Sequence, residues 1–157
     1  MNIYISYFYQ IRNFTKYQIP VSTAMWEPTW YLPVHYDKNN VINGAHYKPF
    51  ILPEEKWNEL CKSGLECRKE CPFQHGECEF EKVYYNYLTT LDYEKVLLDL
   101  NSIRHQVAVA MGLEEDLEKF EIVLMVHEAP WRPCAERPCL IHYFKDHGYD
   151  LKEWSKP

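Results

Sequence analysis

The chain has 157 residues, 46% of them apolar and 25% charged, which fits one folded domain and excludes an intrinsically disordered chain. A net charge of −6 without any basic cluster disfavours sequence-independent binding to nucleic acid, where lysine and arginine supply most of the affinity. No apolar run approaches the roughly 18 residues of a membrane span, and the opening residues MNIYISYFYQ lack the pattern of a secretory signal.

The six cysteines also bear on the cellular compartment of the protein. Without a secretory signal, cysteines indicate reduced thiols or metal ligands rather than disulfides. We therefore expect a cytoplasmic protein with no membrane partner.

The N-terminal third predicts two strands and a long loop. Residues 2–9 alternate between two faces and are rich in β-forming side chains, and residues 18–24 predict a second strand. Pro28 and Pro33 then interrupt regular structure, so residues 34–50 are interpreted as a long irregular loop. Long loops in compact domains often carry function.

Three helices are predicted in the middle of the chain. A proline followed by two acidic residues starts the first of them at Pro53. A second helix is predicted near residues 80–88. Asp92 caps the third, which has apolar side chains at helical spacing and ends at Gly112.

The last third predicts a central strand, a helix and an edge strand. The run IVLMV at residues 122–126 is typical of a strand covered on both faces. A helix closed by Gly148 follows, and residues 149–154 predict the edge strand. The alternation predicts one α/β domain over residues 1–157, with a small, mostly parallel sheet flanked by helices.

The loop at residues 127–137 is the predicted functional site, because ligands of open α/β sheets bind beyond the carboxyl ends of the strands. A helix N-terminus with Arg132 or Arg137 suits a carboxylate or phosphate. The helix dipole would lower the pKa of Cys134 and make it a candidate nucleophile. Glu128 is the candidate general base.

Five further side chains are predicted to line the ligand site, and most are aromatic. They are His127, Trp131, Ser6, Tyr7 and Trp30. Structural interpretations stay open beside these roles: Glu128 and Arg137 pairing to pin the loop, Cys134 packing as a small apolar residue, and Trp30 acting as a packing plug.

We expect the ligand to be a small anionic molecule, with a nucleotide or nucleoside derivative as the leading candidate. Transferase or hydrolase activity is one alternative. The others are a non-catalytic protein that sequesters or senses the ligand, and a protein-interaction module stapled by zinc. The chain lacks a Ser-His-Asp order, a phosphate-binding glycine loop and a dinucleotide fingerprint, which disfavours nucleoside triphosphatases and dehydrogenases.

Several segments resemble the family called domain of unknown function 488. They are the strand ISYFYQIRNF, the element IPVSTAMWEPTWY with Pro28, Trp30 and Tyr31, the helices in VYYNYLTTLDYEKVLLDL, and the apolar strand ending in glutamate before a loop with cysteine and a helix opened by arginine. The resemblance implies a Rossmann-like three-layer fold and gives no activity. Where that family commonly has Cys-His-Arg, this chain reads Cys134-Ala135-Glu136-Arg137, so a role that needs an imidazole there is in doubt.

A cysteine-rich segment, CKSGLECRKECPFQHGEC, begins at Cys61 and forms a predicted insertion over residues 61–79. Zinc sites take four Cys or His ligands from such short segments. The segment's end is similar to the closing half of a Cys-Cys-Cys-His zinc finger, but the chain has no basic surface for RNA. The predicted ligands of a structural zinc are Cys67, Cys71, His75 and Cys78, with Cys61 in reserve; a loop of free thiols or a reversible disulfide is the alternative.

Elemental analysis of the purified protein tests the zinc prediction. We expect about one zinc per chain, because an insertion without a core of its own needs the metal to fold. A content below about half a zinc per chain would remove the claim.

Overall fold

The computed structural model describes residues 1–31, 44–62, 78–131 and 136–157, with only the backbone of residues 61 and 62. Within these ranges the sheet has five strands, all parallel, in the spatial order β3-β2-β4-β1-β5. The strands are β1 (Ile3–Tyr7), β2 (Gln18–Ser22), β3 (Ala45–His46), β4 (Glu121–Val126) and β5 (Lys152–Glu153).

Four α-helices are described: α1 (Glu54–Lys62), α2 (Glu79–Leu88), α3 (Tyr93–Ala110) and α4 (Glu136–Asp146). Short 3-10 helices cover Phe8–Asn13, Lys48–Phe50 and Glu114–Lys119. The predicted α/β fold with a small parallel sheet is therefore confirmed, and it is Rossmann-like. The cysteine-rich insertion lies almost entirely outside the described residues.

Strand β4 is the centre of the sheet, as its unbroken apolar sequence predicts. It pairs with β2 on one side and β1 on the other, and all residues from Ile122 to Val126 are buried. Ile122, Leu124 and Val126 join the larger core cluster, and Val123 and Met125 join the smaller one. A strand whose alternate side chains are both covered needs no polar face.

The two faces of the sheet are covered unequally. All four α-helices contribute to the larger cluster, through residues such as Leu60, Tyr84, Leu100 and Phe144. The other face is covered by the 3-10 helix Phe8–Asn13, together with Tyr31 and Trp154. The sheet thus lies between a thick helical layer and a thin one.

The predicted ends of two helices are confirmed. The Asp92 carboxylate accepts hydrogen bonds from the backbone N–H groups of Glu94 (3.1 Å) and Lys95 (3.4 Å) at the start of α3. Gly112 (φ +67°) and Gly148 (φ +83°) follow α3 and α4 in the left-handed conformation that glycine tolerates best.

Several elements differ from the sequence prediction: β2 ends at Ser22 instead of residue 24, and β5 covers only Lys152–Glu153 of the predicted residues 149–154. Strand β1 ends at Tyr7 instead of residue 9, because the chain turns into a 3-10 helix at Phe8. The loop predicted over residues 34–50 contains β3 and a 3-10 turn. A strand of two residues is too short to show an alternating pattern.

The connections leave a switch point between β2 and β4. After β2 the chain goes to β3 on the outer side, whereas after β4 it crosses over β1 to β5 on the opposite side. Adjacent strands whose connections diverge open a crevice at their carboxyl ends, and ligands of open α/β sheets bind there.

Candidate functional site

The carboxyl edge of the sheet gathers most of the predicted site residues that the structure describes. Because all strands are parallel, their last residues lie at one edge: Tyr7, Ser22, His46, Val126 and Glu153. The predicted residues at or just beyond this edge are Ser6, Tyr7, Trp30, His127, Glu128, Trp131 and Arg137. Arg132 and Cys134 lie outside the described residues.

Arg137 is buried in the first turn of α4 and reaches two strands. Its Nε donates to the carboxylate of Glu153 on β5, and its Nη1 donates to the backbone carbonyl of Glu128, just beyond β4. Since β1 lies between those strands, the guanidinium spans the carboxyl end of β1. The ion-pair partner of Arg137 is therefore Glu153, and Glu128 is bound through its backbone.

The third nitrogen of this guanidinium makes no hydrogen bond to a described residue. Nη2 of Arg137 is buried and has no hydrogen-bond partner in the part of the chain that the structure describes. A buried donor without a partner costs roughly 1–3 kcal/mol, and more for a charged group. Buried polar atoms almost always find partners, so this position requires an explanation.

A pair of carboxyl groups lies beside the arginine. Glu136 opens α4, and its side chain shares a hydrogen bond with that of Glu128. Loss of solvation, and then the negative charge of Glu128, raise the pKa of Glu136 to about 8, although the charge of Arg137 opposes the shift. With a pKa raised this far, the Glu128–Glu136 pair keeps a shared proton at neutral pH, and a protonated carboxyl group can both donate a hydrogen bond and serve as a general acid.

Sequence reasoning placed Glu136 in the loop cluster and gave it no role. The available signal was its position: a second acidic residue directly before the helix arginine, eight residues after Glu128. Two carboxyl groups near one strand end raise each other's pKa when they meet. The sequence alone does not show that the loop folds back to bring them together.

Aromatic side chains follow three of the central strands. Trp131, after β4, is 76% exposed and meets Tyr7 edge to face, with 5.8 Å between the ring centroids. Tyr9, after β1, stacks on Tyr7 at 6.5 Å and carries the Arg12 guanidinium 3.6 Å above its ring. Trp26 and Trp30, after β2, are also exposed. Of the exposed large apolar side chains described, these four aromatics all lie at the carboxyl edge.

His127 links the loops on either side of the switch point. Its Nε2 donates to the backbone carbonyl of Trp26 in the loop after β2, and its ring lies 5.3 Å from that of Phe8. His127 is exposed, as is Trp30, which meets Tyr31 edge to face at 6.4 Å. Both therefore lie at the carboxyl edge beside the switch point.

Ser6 lies on the other side of the edge. It pairs in register with Met125 of the smaller core cluster, so its side chain points to the thin layer. It is fully buried, and its Oγ has no hydrogen-bond partner among the described residues. The structure therefore does not bring Ser6 onto the face that holds Arg137.

The sequence prediction missed a second polar cluster at this edge. Glu27 Oε1 accepts a hydrogen bond from Ser22 Oγ (2.9 Å) and lies 2.6 Å from Nδ1 of His46. His46 falls in the irregular loop predicted over residues 34–50, and Glu27 directly precedes Pro28, where regular structure is predicted to break. Neither the short strand β3 nor the fold of the loop after β2 leaves a sequence pattern.

Most of the predicted zinc site cannot be placed. Cys67, Cys71 and His75 lie outside the described residues, and Cys78 is buried just before α2. Its neighbour Cys139 donates its thiol to the backbone carbonyl of Glu81 (3.3 Å), and burial raises the pKa of that thiol. Across residues 1–31, 44–62, 78–131 and 136–157, no group of three or more His, Cys, Asp or Glu side chains is arranged to hold a metal ion.

The chain matches no protein-family model, no curated protein and no solved structure. Among the described helices, none has the length and apolar character needed to cross a membrane.

The carboxyl pair predicts how stability depends on pH. The folded protein holds the Glu136 proton up to about pH 8, whereas an unperturbed glutamic acid releases it near pH 4.5. Between these values the unfolded chain binds fewer protons than the folded one, so raising the pH destabilises the fold. We expect thermal unfolding between about pH 5 and pH 8 to show a smaller loss of Tm in Glu136→Gln than in the wild type.

The control for this measurement is Glu115→Gln, because Glu115 is exposed. It should follow the wild-type pH dependence. If Glu136→Gln also follows the wild type, the two carboxyl groups do not share a proton in the folded protein.

Proposed function

We propose that the carboxyl edge binds a small anionic ligand, and specifically a nucleotide or nucleoside derivative. The observation that carries the proposal is the buried Nη2 of Arg137, which has no hydrogen-bond partner among the described residues. A phosphate or carboxylate oxygen at that point would satisfy the donor. Arginine is the side chain best suited to such a contact, because its guanidinium stays charged and offers paired donors.

The local electrostatics support an anion in spite of the acidic surroundings. Glu153 and the Glu128 carbonyl hold two of the guanidinium nitrogens in place, so little conformational entropy is lost when the third nitrogen binds. The proton on Glu136 removes one negative charge beside the arginine at neutral pH. An anion therefore meets less repulsion than three ionised carboxylates would produce.

The aromatic side chains support a ligand with a flat ring. Trp131 and Tyr7 meet at the mouth of the site, and base–aromatic stacking contributes about 1–3 kcal/mol per base. The carboxyl pair Glu128–Glu136 can accept and donate hydrogen bonds to sugar hydroxyl groups. Ring, sugar and phosphate would then each have a partner at the edge.

The proposal includes a catalytic form of this function, a transferase or hydrolase. In that form Glu128 acts as the general base or Cys134 as the nucleophile, and the protonated Glu136 adds a candidate general acid. The non-catalytic form is a protein that sequesters or senses the same ligand.

A protein-interaction module is the second candidate, and the exposed aromatics favour it. Tyr9, Trp26, Trp30 and Trp131 lie on one edge of the molecule, and clustered exposed aromatics are typical of binding surfaces for other proteins. Three further parts of the proposal rest on sequence alone: the cytoplasmic location, the structural zinc of the cysteine-rich insertion, and membership of the family called domain of unknown function 488.

Binding of adenosine 5′-monophosphate, measured by isothermal titration calorimetry, tests the proposed function. We expect the monophosphate to bind at least about tenfold more tightly than adenosine, since a hydrogen bond to a charged group contributes about 1.5–3 kcal/mol. Arg137→Lys should reduce its affinity to about that of adenosine, because the lysine ammonium cannot keep the three contacts of the guanidinium.

The matched control is Arg104→Lys. Arg104 is equally buried but bonds only to Asn101 and the Leu117 carbonyl, away from the carboxyl edge. The affinity of the Arg104→Lys variant for the monophosphate should equal that of the wild type. Equal affinities for nucleoside and nucleotide, or equal losses in both arginine variants, would contradict the proposal and favour the interaction module.

A further inference from the structure

A second group of polar side chains lies on the β2–β3 side of the same edge. Glu27, Ser22 and His46 come from the loop after β2, the end of β2 and the end of β3. The Glu27 and His46 side chains are 19% and 33% exposed, so the pair is accessible from the surface. The proposed function above assigns these residues no role.

The hydrogen bonds of this group run in one direction only. The backbone N–H of Ala24 donates to Ser22 Oγ (3.2 Å), so the Ser22 hydroxyl hydrogen is left to donate to Glu27 Oε1 (2.9 Å). A carboxylate oxygen only accepts, and Nδ1 of His46 lies 2.6 Å from the same oxygen. Nδ1 must therefore carry the hydrogen of the imidazole.

This assignment leaves the lone pair of the neutral ring on Nε2. In the described part of the chain, Nε2 of His46 has no hydrogen-bond partner: the ring is paired with Glu27 through Nδ1 and meets the Tyr31 ring edge to face at 5.7 Å. A carboxylate that orients an imidazole through Nδ1 and leaves Nε2 open is the arrangement of a general base.

Tyr31 fixes the group to the sheet. Its buried hydroxyl lies within hydrogen-bonding distance of two backbone carbonyls. These are the carbonyl of Ala45 on β3 (2.6 Å) and the carbonyl of Pro20 on β2 (3.1 Å). The residue before His46 is thus tied to the neighbouring strand. A base held on rigid strands keeps its geometry better than one carried on a loop.

We propose that the Glu27–His46 pair is a general base that hydrolyses an ester or phosphoester bond of the ligand bound at this edge. Nε2 of His46 takes a proton from water, and the water oxygen forms a bond to the acyl carbon or phosphorus. The bond from that atom to the leaving oxygen breaks, the leaving oxygen takes the electron pair, and the imidazolium returns its proton to it. Glu27 is a positioning residue that stabilises the imidazolium.

The inference rests on the proposed function only for the identity of the ligand. Strands β3 and β4 are two interstrand spacings apart, on the order of 10 Å, and Arg137 bonds to the carbonyl of Glu128 directly beyond β4. Ser22 pairs in register with Met125 and with His46, so the base lies on the thin-layer side of the sheet, and a nucleotide-sized ligand bound to Arg137 would reach it by crossing over the carboxyl edge. Of the forms of the proposed function, the Glu27–His46 pair favours the hydrolase over the transferase and over the non-catalytic binding protein.

Hydrolysis of p-nitrophenyl acetate by the full chain tests this base. The probe has neither a nucleobase nor a negative charge, so its result does not depend on the Arg137 site. We expect His46→Gln and Glu27→Ala to lower the rate at least about tenfold. His105→Gln removes an exposed histidine of α3 and should leave the rate unchanged.

If His46→Gln keeps the wild-type rate with an intact circular dichroism spectrum, the pair is only a structural link between the loop and β3, and the inference is overturned. If the variants unfold, long-range proton–nitrogen NMR on the wild-type protein still tests the inference, because it identifies the tautomer of His46 directly. The inference requires the hydrogen of neutral His46 on Nδ1. A hydrogen on Nε2 would overturn it.

Discussion

The buried guanidinium of Arg137 is the interaction on which the geometry of the carboxyl edge depends. It joins the first turn of α4 to β5 through Glu153, and to the loop after β4 through the carbonyl of Glu128. It thereby bridges β5 and the loop after β4 across the carboxyl end of β1. A charge so far from water is expensive to bury, and removing one partner of such a pair commonly costs 3–5 kcal/mol. The arrangement therefore holds the edge in one conformation while Nη2 has no hydrogen-bond partner among the described residues.

Most of the fold could be predicted from the sequence, because the buried residues of a long helix or strand recur at a regular spacing. The five apolar residues of β4 indicate a strand, and the helical spacing of apolar residues in α3 indicates a helix. Asp92 and Gly112 mark the two ends of that helix. Strand β3 could not be predicted, since two residues are too few for a pattern. The unequal layers could not be predicted either. They depend on how the chain after β1 packs, and an alternating sequence at Phe8 does not distinguish a strand from a 3-10 turn.

The location of the site was more predictable than its chemistry. A parallel sheet places all its strand ends together, so the loop after β4 could be singled out from the order of elements alone. The contacts depend on loop conformations, which leave no periodic signal. Thus the sequence does not reveal the partnership of Glu136 with Glu128. It does not reveal the Glu27–His46 pair either, because that pair depends on how the loop after β2 folds back onto the two-residue strand β3. Arg137 does pin the loop after β4 to the helix, but it does so through the backbone carbonyl of Glu128, and its carboxylate partner is Glu153.

Nitrogen-15 NMR of the Arg137 guanidinium tests the central claim most directly, because it observes the three nitrogens separately. If the group is held by Glu153 and the Glu128 carbonyl, its rotation is slow and Nη1 and Nη2 give distinct signals. Addition of adenosine 5′-monophosphate should then shift Nη2 strongly and Nε little. A single averaged Nη signal that does not respond to the nucleotide, as a solvated arginine gives, would contradict the account.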